Sequence, residues 1–246
     1  MKAIGDGAPR ISIVIPVHNE EPILHAAVVD LRERLSHLGW SYEIILAENG
    51  SRDGTLSVAT EMGERWPEVR ILSLGEPNYG GALRAGIIAS RAELVICEEI
   101  DLCDVAFHKA AIAIIDAGLA DFVIGSKLLA ASRDERPIFR RTASRAYSAV
   151  LQVALGFRGT DTHGLKAFRR AALMPVVDAC LVDKDVFASE LVIRAQRAGV
   201  AMCEIPVRVM EKRPPSIGLA RRVPTVLKQV AKLTWSIRAG VALTRR

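Results

Sequence analysis

Residues 11–48 read ISIVIPVHNEEPILHAAVVDLRERLSHLGWSYEIILAE. ISIVIPV (11–17) is a short β-branched run closed by turn chemistry. EPILHAAVVDLRERLSHLG (21–39) spaces its apolar residues as a helix does and stops at Gly39, and YEIILAE (42–48) is a second strand-like run. Strand, helix and strand in this order make a βαβ unit, whose strands lie parallel in one sheet. The alternation continues. DGTLSVATEMGERW (53–66) is a helix, VRILSL (69–74) a strand, GALRAGIIASRA (81–92) a helix, ELVICE (93–98) a strand, FHKAAIAIIDAG (107–118) a helix and DFVIGS (121–126) a strand. The fold expected is therefore α/β, a mainly parallel sheet flanked by helices.

Sheets of this kind bind ligands beyond the carboxyl ends of their strands. Here those segments are VHNEE, ENGSRDGT, NYGG, EEIDLCD and SK, and all of them converge on one edge. Polar turns follow strands in any protein, so each alone means little. EEIDLCD is different, with Glu98, Glu99, Asp101 and Asp104 in seven positions. Two carboxylates about 4 Å apart repel by roughly 4 kcal/mol at an effective dielectric near 20, so a fold that gathers them needs something to offset the repulsion. Glu99 and Asp101, two apart after a strand, can aim at one point and supply the hard oxygen ligands that Mg²⁺ or Mn²⁺ prefers. Asp104 opens a helix, where a carboxylate favours the dipole.

The second half changes character. RPIFRRTASRAYSAVLQVALG (136–156) is helical with Arg136, Arg140, Arg141 and Arg145 near its start; DTHGLKAFRR, two more helical patterns and the strand AMCEIPVRVM (201–210) follow. Arg141 and Arg145 share a helix face, and guanidinium forks suit phosphate; the alternative is a solvated face paired with Asp134 and Glu135.

Composition bounds the rest. The chain has 246 residues, half of them hydrophobic, enough for a sizeable core and against disorder. No long uncharged apolar stretch and no apolar leader core occur, so the expectation is a cytoplasmic protein without a membrane-spanning helix. Four cysteines without CxxC spacing read as reduced, buried thiols. No GxGxxG follows the first strand and no GxxxxGK[ST] or GxSxG occurs, so hydride-transfer, P-loop and hydrolase readings lose their usual signals. From Arg208 onward ten Lys or Arg face one acid, Glu211, a net +9 that leaves −4 on residues 1–207 of the total +5. An acidic body without interleaved aromatics argues against nucleic acid as partner.

SIVIPVHNEE, EIILAENGSRDGT, NYGGALRAGI, EEIDLCD, DFVIGSK and DTHGLKAFRR, in this order over residues 10–215, resemble the family 2 glycosyltransferases of the glycosyltransferase A fold, and among them polyprenyl-phosphate mannose and glucose synthases. The resemblance implies a catalytic domain over residues 1–215 with a basic amphipathic helix, 216–246, appended to it. It implies an inverting transfer from a nucleoside-diphosphate sugar to a polyprenyl phosphate, or to a hydroxyl of a small-molecule or glycan acceptor; a catalytically weak nucleotide-binding homologue is the further alternative. Glu99 and Asp101 stand where the family has Asp-x-Asp, with Mg²⁺ or Mn²⁺ bridging to the donor diphosphate. Glu99 replaces an Asp there, and Cys103 stands where a metal-facing Gln is common. Pro16, Val17, Glu20, Glu48, Asn49, Asn78 and Lys127 would join Glu99 in holding the nucleotide sugar, and Arg136, Arg140 and Arg145 the acceptor phosphate. Asp101, Arg141, Asp161 and Glu190 are the expected catalytic residues, with Asp161 or Glu190 as base if the acceptor is a hydroxyl. His163 reads as a hydrogen-bonded structural group, and Asp53 as a turn residue and helix cap.

The tail, VPTVLKQVAKLTWSIRAGVALTRR (223–246), repeats apolar residues every three or four positions with basic residues between. Two readings are open. One is a core helix with a basic outer face; the other is an amphipathic helix on an anionic membrane, at the inner membrane face, close to a lipid acceptor.

Overall fold

A computed structural model describes residues 7–182, 186–209 and 228–238. The first half runs β1 (Ile11–Val17), α1 (Glu21–Ser36), β2 (Tyr42–Glu48), α2 (Thr55–Arg65), β3 (Val69–Ser73), α3 (Tyr79–Ala89), β4 (Leu94–Cys97), α4 (Val105–Asp116) and β5 (Phe122–Ser126). It continues with β6 (Arg133–Asp134), α5 (Ile138–Leu155), β7 (Leu165–Arg169), α6 (Arg170–Ala179), α7 (Phe187–Arg197), β8 (Met202–Pro206) and β9 (Arg208–Val209). A last helix, α8, spans 228–238. Seven strands form one sheet in the order β3-β2-β1-β4-β7-β5-β8, and β6 pairs with β9 in a separate ribbon.

The sheet is parallel except for β7, which lies antiparallel between β4 and β5. β1 pairs with β2 on one side and with β4 on the other, so the strand order reverses there. Such a reversal opens a crevice at the carboxyl ends of the strands. The ends of β1 and β4, Val17 and Cys97, therefore define where a ligand enters, and EEIDLCD begins at that point.

The pleat divides the core. Ile11, Ile13, Ile15 and Val17 point to one side, where they pack with Leu24, Leu31 and Leu35 of α1, Met62 of α2 and Ile115 of α4. Val14, Ile45 and Val95 point to the other, against Leu83 and Ile87 of α3, Leu151 and Leu155 of α5, and α6, α7 and α8. Period-two alternation in β1 with both sets fully buried is what a central strand covered on both faces requires.

α8 belongs to this second layer. Val230, Leu233, Ser236 and Ile237 are buried, and Lys228, Lys232, Trp235 and Arg238 are exposed. In this segment the apolar face is core and the basic face is outward, the first of the two readings of the tail. Residues 216–227 and 239–246 of the expected helix, and the expected boundary at 215, lie outside the described residues.

Glu190 ties this layer together. Its fully buried carboxylate accepts from Leu181 N (3.0 Å), Val182 N (2.7 Å), Arg194 Nε (2.8 Å) and Ser236 Oγ (2.6 Å). The expectation of a catalytic base here is corrected: the side chain joins the α6–α7 connection, α7 and α8, and four donors leave it no lone pair to offer a substrate. Glu190→Gln removes the charge facing the largely buried Arg194. The expected cost is about 2–4 kcal/mol, a fall in Tm on the order of 5–15 °C for a chain of this size. Thermal denaturation checks it, and nucleotide affinity of the folded variant should stay unchanged.

Candidate functional site

The four carboxylates after β4 divide into two pairs. Glu98 is buried; its Oε1 accepts from Glu99 N (2.9 Å), and its Oε2 accepts from Asp104 N (3.1 Å) and pairs with His108 Nε2 (2.6 Å). Asp104 caps α4, its Oδ1 accepting from Ala106 N (3.0 Å) and Phe107 N (3.1 Å). Both are spent on shaping the loop. What the loop presents is Glu99 and Asp101. Burial, and then the neighbouring Asp101 carboxylate, push the Glu99 pKa up to about 7, against the opposing pull of Lys127.

A carboxylate pair held in mutual repulsion fits a hard divalent cation. Among the described residues no three His, Cys, Asp or Glu converge into a closed cage. Mg²⁺ and Mn²⁺ do not need one, because such ions complete their shell with water and substrate phosphates. Cys103 is no ligand: it is buried in the core, with Sγ turned toward the carbonyl of Ile100 (3.5 Å). That thiol is packing, and the departure from Gln leaves the carboxylate pair intact.

Cations face this pair from β5 and β7. Lys127, directly after β5, donates from Nζ to Asp161 Oδ2 at 2.8 Å. Burial would raise the Asp161 pKa, but Lys127 and the His163 N–H (2.9 Å) hold it down to about 2. Asp161 is thus a fixed anion and a very weak base. Lys166 of β7 is buried, donates to Gly164 O (2.7 Å) and is coupled to Cys97, Asp161 and Glu99; burial lowers its pKa. Gly164 itself allows this approach, since a Cβ there would stand 1.8 Å from Gly125 O. Lys166 was quoted within DTHGLKAFRR but not singled out; the antiparallel placement of β7 opposite β4, with Lys166 across from Cys97, carries it to the site. Tyr79, at the start of α3, also lies within electrostatic range of Glu99 and Asp101.

Beyond β5 a pocket of about 110 Å³ is lined by Lys127, Leu128, Leu129, Ala130, Ser132, Asp134, Arg141 and Arg145. Arg136 is not among them: its guanidinium forks onto Asp134 through Nε (2.8 Å) and NH2 (2.7 Å). It neutralises the one acid in the lining and is corrected from phosphate ligand to support. Arg140 is half-buried one turn into α5 and does not line the pocket. Lys127, Arg141 and Arg145 then leave a net positive cavity with room for an anion of a few water volumes.

The expected nucleotide residues gather at the ends of β1, β2 and β3, largely as framework. Glu48 accepts from Ser51 N (2.5 Å) and Ser73 Oγ (2.7 Å), and despite burial these bonds keep its pKa below the usual carboxylate range. Asn49 donates to Val17 O (2.9 Å) and accepts from Asn78 N (3.2 Å), while Asn78 caps α3 through Gly81 N (2.8 Å). These three side chains brace the crevice; Pro16 and Val17 close the buried end of β1, and Glu20 stands half-buried above it, its N–H on Thr55 Oγ1 (2.7 Å). Asp53 accepts from Thr55 N (3.1 Å) and Glu21 N (3.3 Å), the turn role expected of it. His163 packs edge-on against Tyr147, with ring centroids 5.1 Å apart.

Known proteins share this arrangement. Glycosyltransferase AglD of Haloferax volcanii is 27% identical over 242 residues, 96% of this chain, which spans only 39% of that protein. Human dolichyl-phosphate beta-glucosyltransferase is 27% identical over 82% of this chain and 68% of its own length. Glucosyl-3-phosphoglycerate synthase of Mycobacterium tuberculosis, solved with Mn²⁺, uridine diphosphate and glucosyl-3-phosphoglycerate, superposes with a TM-score of 0.61 at 20% identity, covering 93% of this chain and 79% of that one, a likeness of fold. The family model described as Glycosyl transferase family 2 matches residues 12–174, in which β1 to β5, the Glu99–Asp101 loop and the cationic pocket all fall, and the chain belongs to that family.

Proposed function

We propose that the chain transfers a sugar from a nucleoside-diphosphate sugar to a polyprenyl phosphate by direct displacement, inverting the anomeric centre. One observation carries the choice of acceptor: neither expected base can act as one. Glu190 is saturated by four donors and Asp161 is held near a pKa of about 2 by Lys127. A hydroxyl acceptor must lose its proton to a base, whereas a phosphate oxygen arrives already ionised. The cationic pocket of Lys127, Arg141 and Arg145 supplies what such an acceptor needs. Relatives named for dolichyl-phosphate and undecaprenyl-phosphate transfer support the same reading.

In this reading Arg141 and Arg145 grip and orient the acceptor phosphate, guanidinium planes being suited to a phosphate face. A phosphate oxygen forms the new bond to the anomeric carbon as the bond to the donor diphosphate breaks, and the nucleoside diphosphate leaves with the electron pair. Lys127 and Lys166 add fixed positive charge where negative charge grows on the leaving group. Glu99 and Asp101 would hold Mg²⁺ or Mn²⁺, which when bound neutralises the diphosphate. Pro16, Val17 and Glu20 line the nucleoside end, with Glu48, Asn49 and Asn78 bracing it. Residues 1–215 are taken as the catalytic domain and 216–246 as a segment appended to it.

The carboxylate pair makes cation binding depend on pH. In the metal-free chain Glu99 has a pKa of about 7, so below that pH a cation must displace a proton. Mn²⁺ affinity should fall about tenfold per unit as pH drops below 7 and level off above it. Asp101→Asn relieves the repulsion on Glu99 but removes a ligand, so affinity should drop sharply and its plateau should begin at lower pH. Titration calorimetry with Mn²⁺ and uridine diphosphate reads both effects. A flat pH profile for the unmodified chain would remove the pair as the metal site.

Steady-state kinetics test the acceptor pocket. Arg141→Ala should raise the apparent KM for a short-chain polyprenyl phosphate by about ten- to a hundredfold, in keeping with the loss of a charge-assisted bond. The KM for donor should hardly move. Arg208→Ala, which removes only an exposed pair with Glu135, should leave both unchanged. Equal losses for donor and acceptor in Arg141→Ala would move the pocket to the donor.

A further inference from the structure

α5 has an unusual outer face. Ile138 is 77% exposed, Phe139 50%, Val150 42% and Val153 90%. Between them the exposed positions are Thr142, Arg145, Ala146 and Ala149. At spacings of three and four these residues form one outward stripe, about 22 Å long at 1.5 Å per residue. The opposite side of the helix, with Ser148, Leu151 and Leu155, is buried. A surface helix ordinarily turns charge to solvent, and this one turns mostly methyl groups.

Two neighbours give the stripe a direction. Its first turns carry Arg141 and Arg145 into the cationic pocket. Its last turn meets α8, where Arg238 reaches Ala154 O (3.5 Å) and the exposed side chains are Lys228, Ala231, Lys232, Trp235 (70% exposed) and Arg238. Residues 138–155 and 228–238 contain six Lys or Arg and no Asp or Glu, on a chain whose residues 1–207 are net acidic. An aromatic ring and methyl groups among cations, without a single anion, match the interfacial zone of an anionic lipid leaflet, where apolar groups enter the acyl boundary and cations meet headgroup phosphates. A second copy of the chain fits poorly, because a two-fold contact would set this all-cationic surface against itself.

We propose that the outer faces of α5 and α8 form the surface by which the chain rests on an anionic membrane leaflet, with the mouth of the Lys127–Arg141–Arg145 pocket at headgroup level. The inference rests on the polyprenyl-phosphate reading for its purpose, and on exposure and charge for its location. It reverses the membrane reading of the tail: the apolar residues of α8 face the core, and the contact is made by its basic side and by α5.

Flotation of the full chain with vesicles tests the surface, using phosphatidylcholine alone and phosphatidylcholine mixed with phosphatidylglycerol. The chain should float only with the anionic vesicles, and salt should release it. Val150→Glu with Val153→Glu should weaken flotation at least tenfold, an order-of-magnitude expectation for two anions placed against lipid. Leu119→Glu, at a 74% exposed apolar residue after α4, should float as the unmodified chain does. Turnover of a short-chain, water-soluble polyprenyl phosphate should be equal in all three, which also shows that each is folded. Undiminished flotation of the double variant, or failure of the unmodified chain to float while it turns over the soluble acceptor, overturns the surface and leaves the activity standing. So does a dimer that the double variant dissociates in the absence of any vesicle binding. Flotation as expected with no turnover of any polyprenyl phosphate keeps the surface and removes the acceptor assignment.

Discussion

The repulsion between Glu99 and Asp101 is the constraint around which the site is arranged. A protein can gather carboxylates cheaply if each finds a donor, and Glu98 and Asp104 do, in His108 and in the first N–H groups of α4. Those bonds hold the loop rigid at the reversal of strand order, and in doing so they force the remaining two acids together at the mouth of the crevice. The protein offsets this only at a distance, through Lys127 and Lys166, which pull the Glu99 pKa down but leave it raised to about 7. A site left short of positive charge in this way is prepared for a cation that arrives with its ligand.

The cationic half of the site follows the same division of labour. Lys127 is engaged by Asp161 and Arg136 by Asp134, so each buried acid is matched and the guanidinium groups of Arg141 and Arg145 remain in the pocket lining. Asp161 shows how the pairing decides chemistry as well as stability. A carboxylate near pKa 2 anchors a lysine well and takes protons badly, and an acceptor that needs no deprotonation is the one that such a site serves.

Much of this was legible along the chain, because it depends on local patterning. The βαβ alternation in 11–48 and after it, the convergence of strand ends and the pairing of Glu99 with Asp101 all follow from spacing of two, three or four residues. The rest depends on distant partners. β7 is five residues long with a lysine inside it, and only its insertion between β4 and β5 makes LKAFR a strand. Glu190 reads as a candidate base until Ser236, forty-six positions away, donates to it. Arg136 looks like its neighbours Arg140 and Arg141, and its difference is a two-residue turn that folds it back onto Asp134. Glu48 and Asn49 occupy ligand-like places at a strand end, where the brace they form with Ser73 and Asn78 could be found only after β3 and α3 were set beside them.

The tail shows why an amphipathic pattern alone does not say which face meets what. Val230, Leu233 and Ile237 recur as they would on a membrane-bound helix and as they would on a core helix, since both environments reward the same apolar stripe. Burial against Leu151 and Leu155 decides for the core. That outcome also explains the absence of acids from α5 and α8. A basic face packed on a protein body ordinarily gathers acidic partners along its helices, as Arg194 does with Glu190 in the layer beneath. On the outer faces of α5 and α8 neither helix supplies one, and apolar side chains stand exposed between the cations. The compensation such a surface lacks within the chain is what an anionic leaflet provides, so the site and the surface share one logic: each is left electrostatically incomplete toward the partner it is shaped to meet.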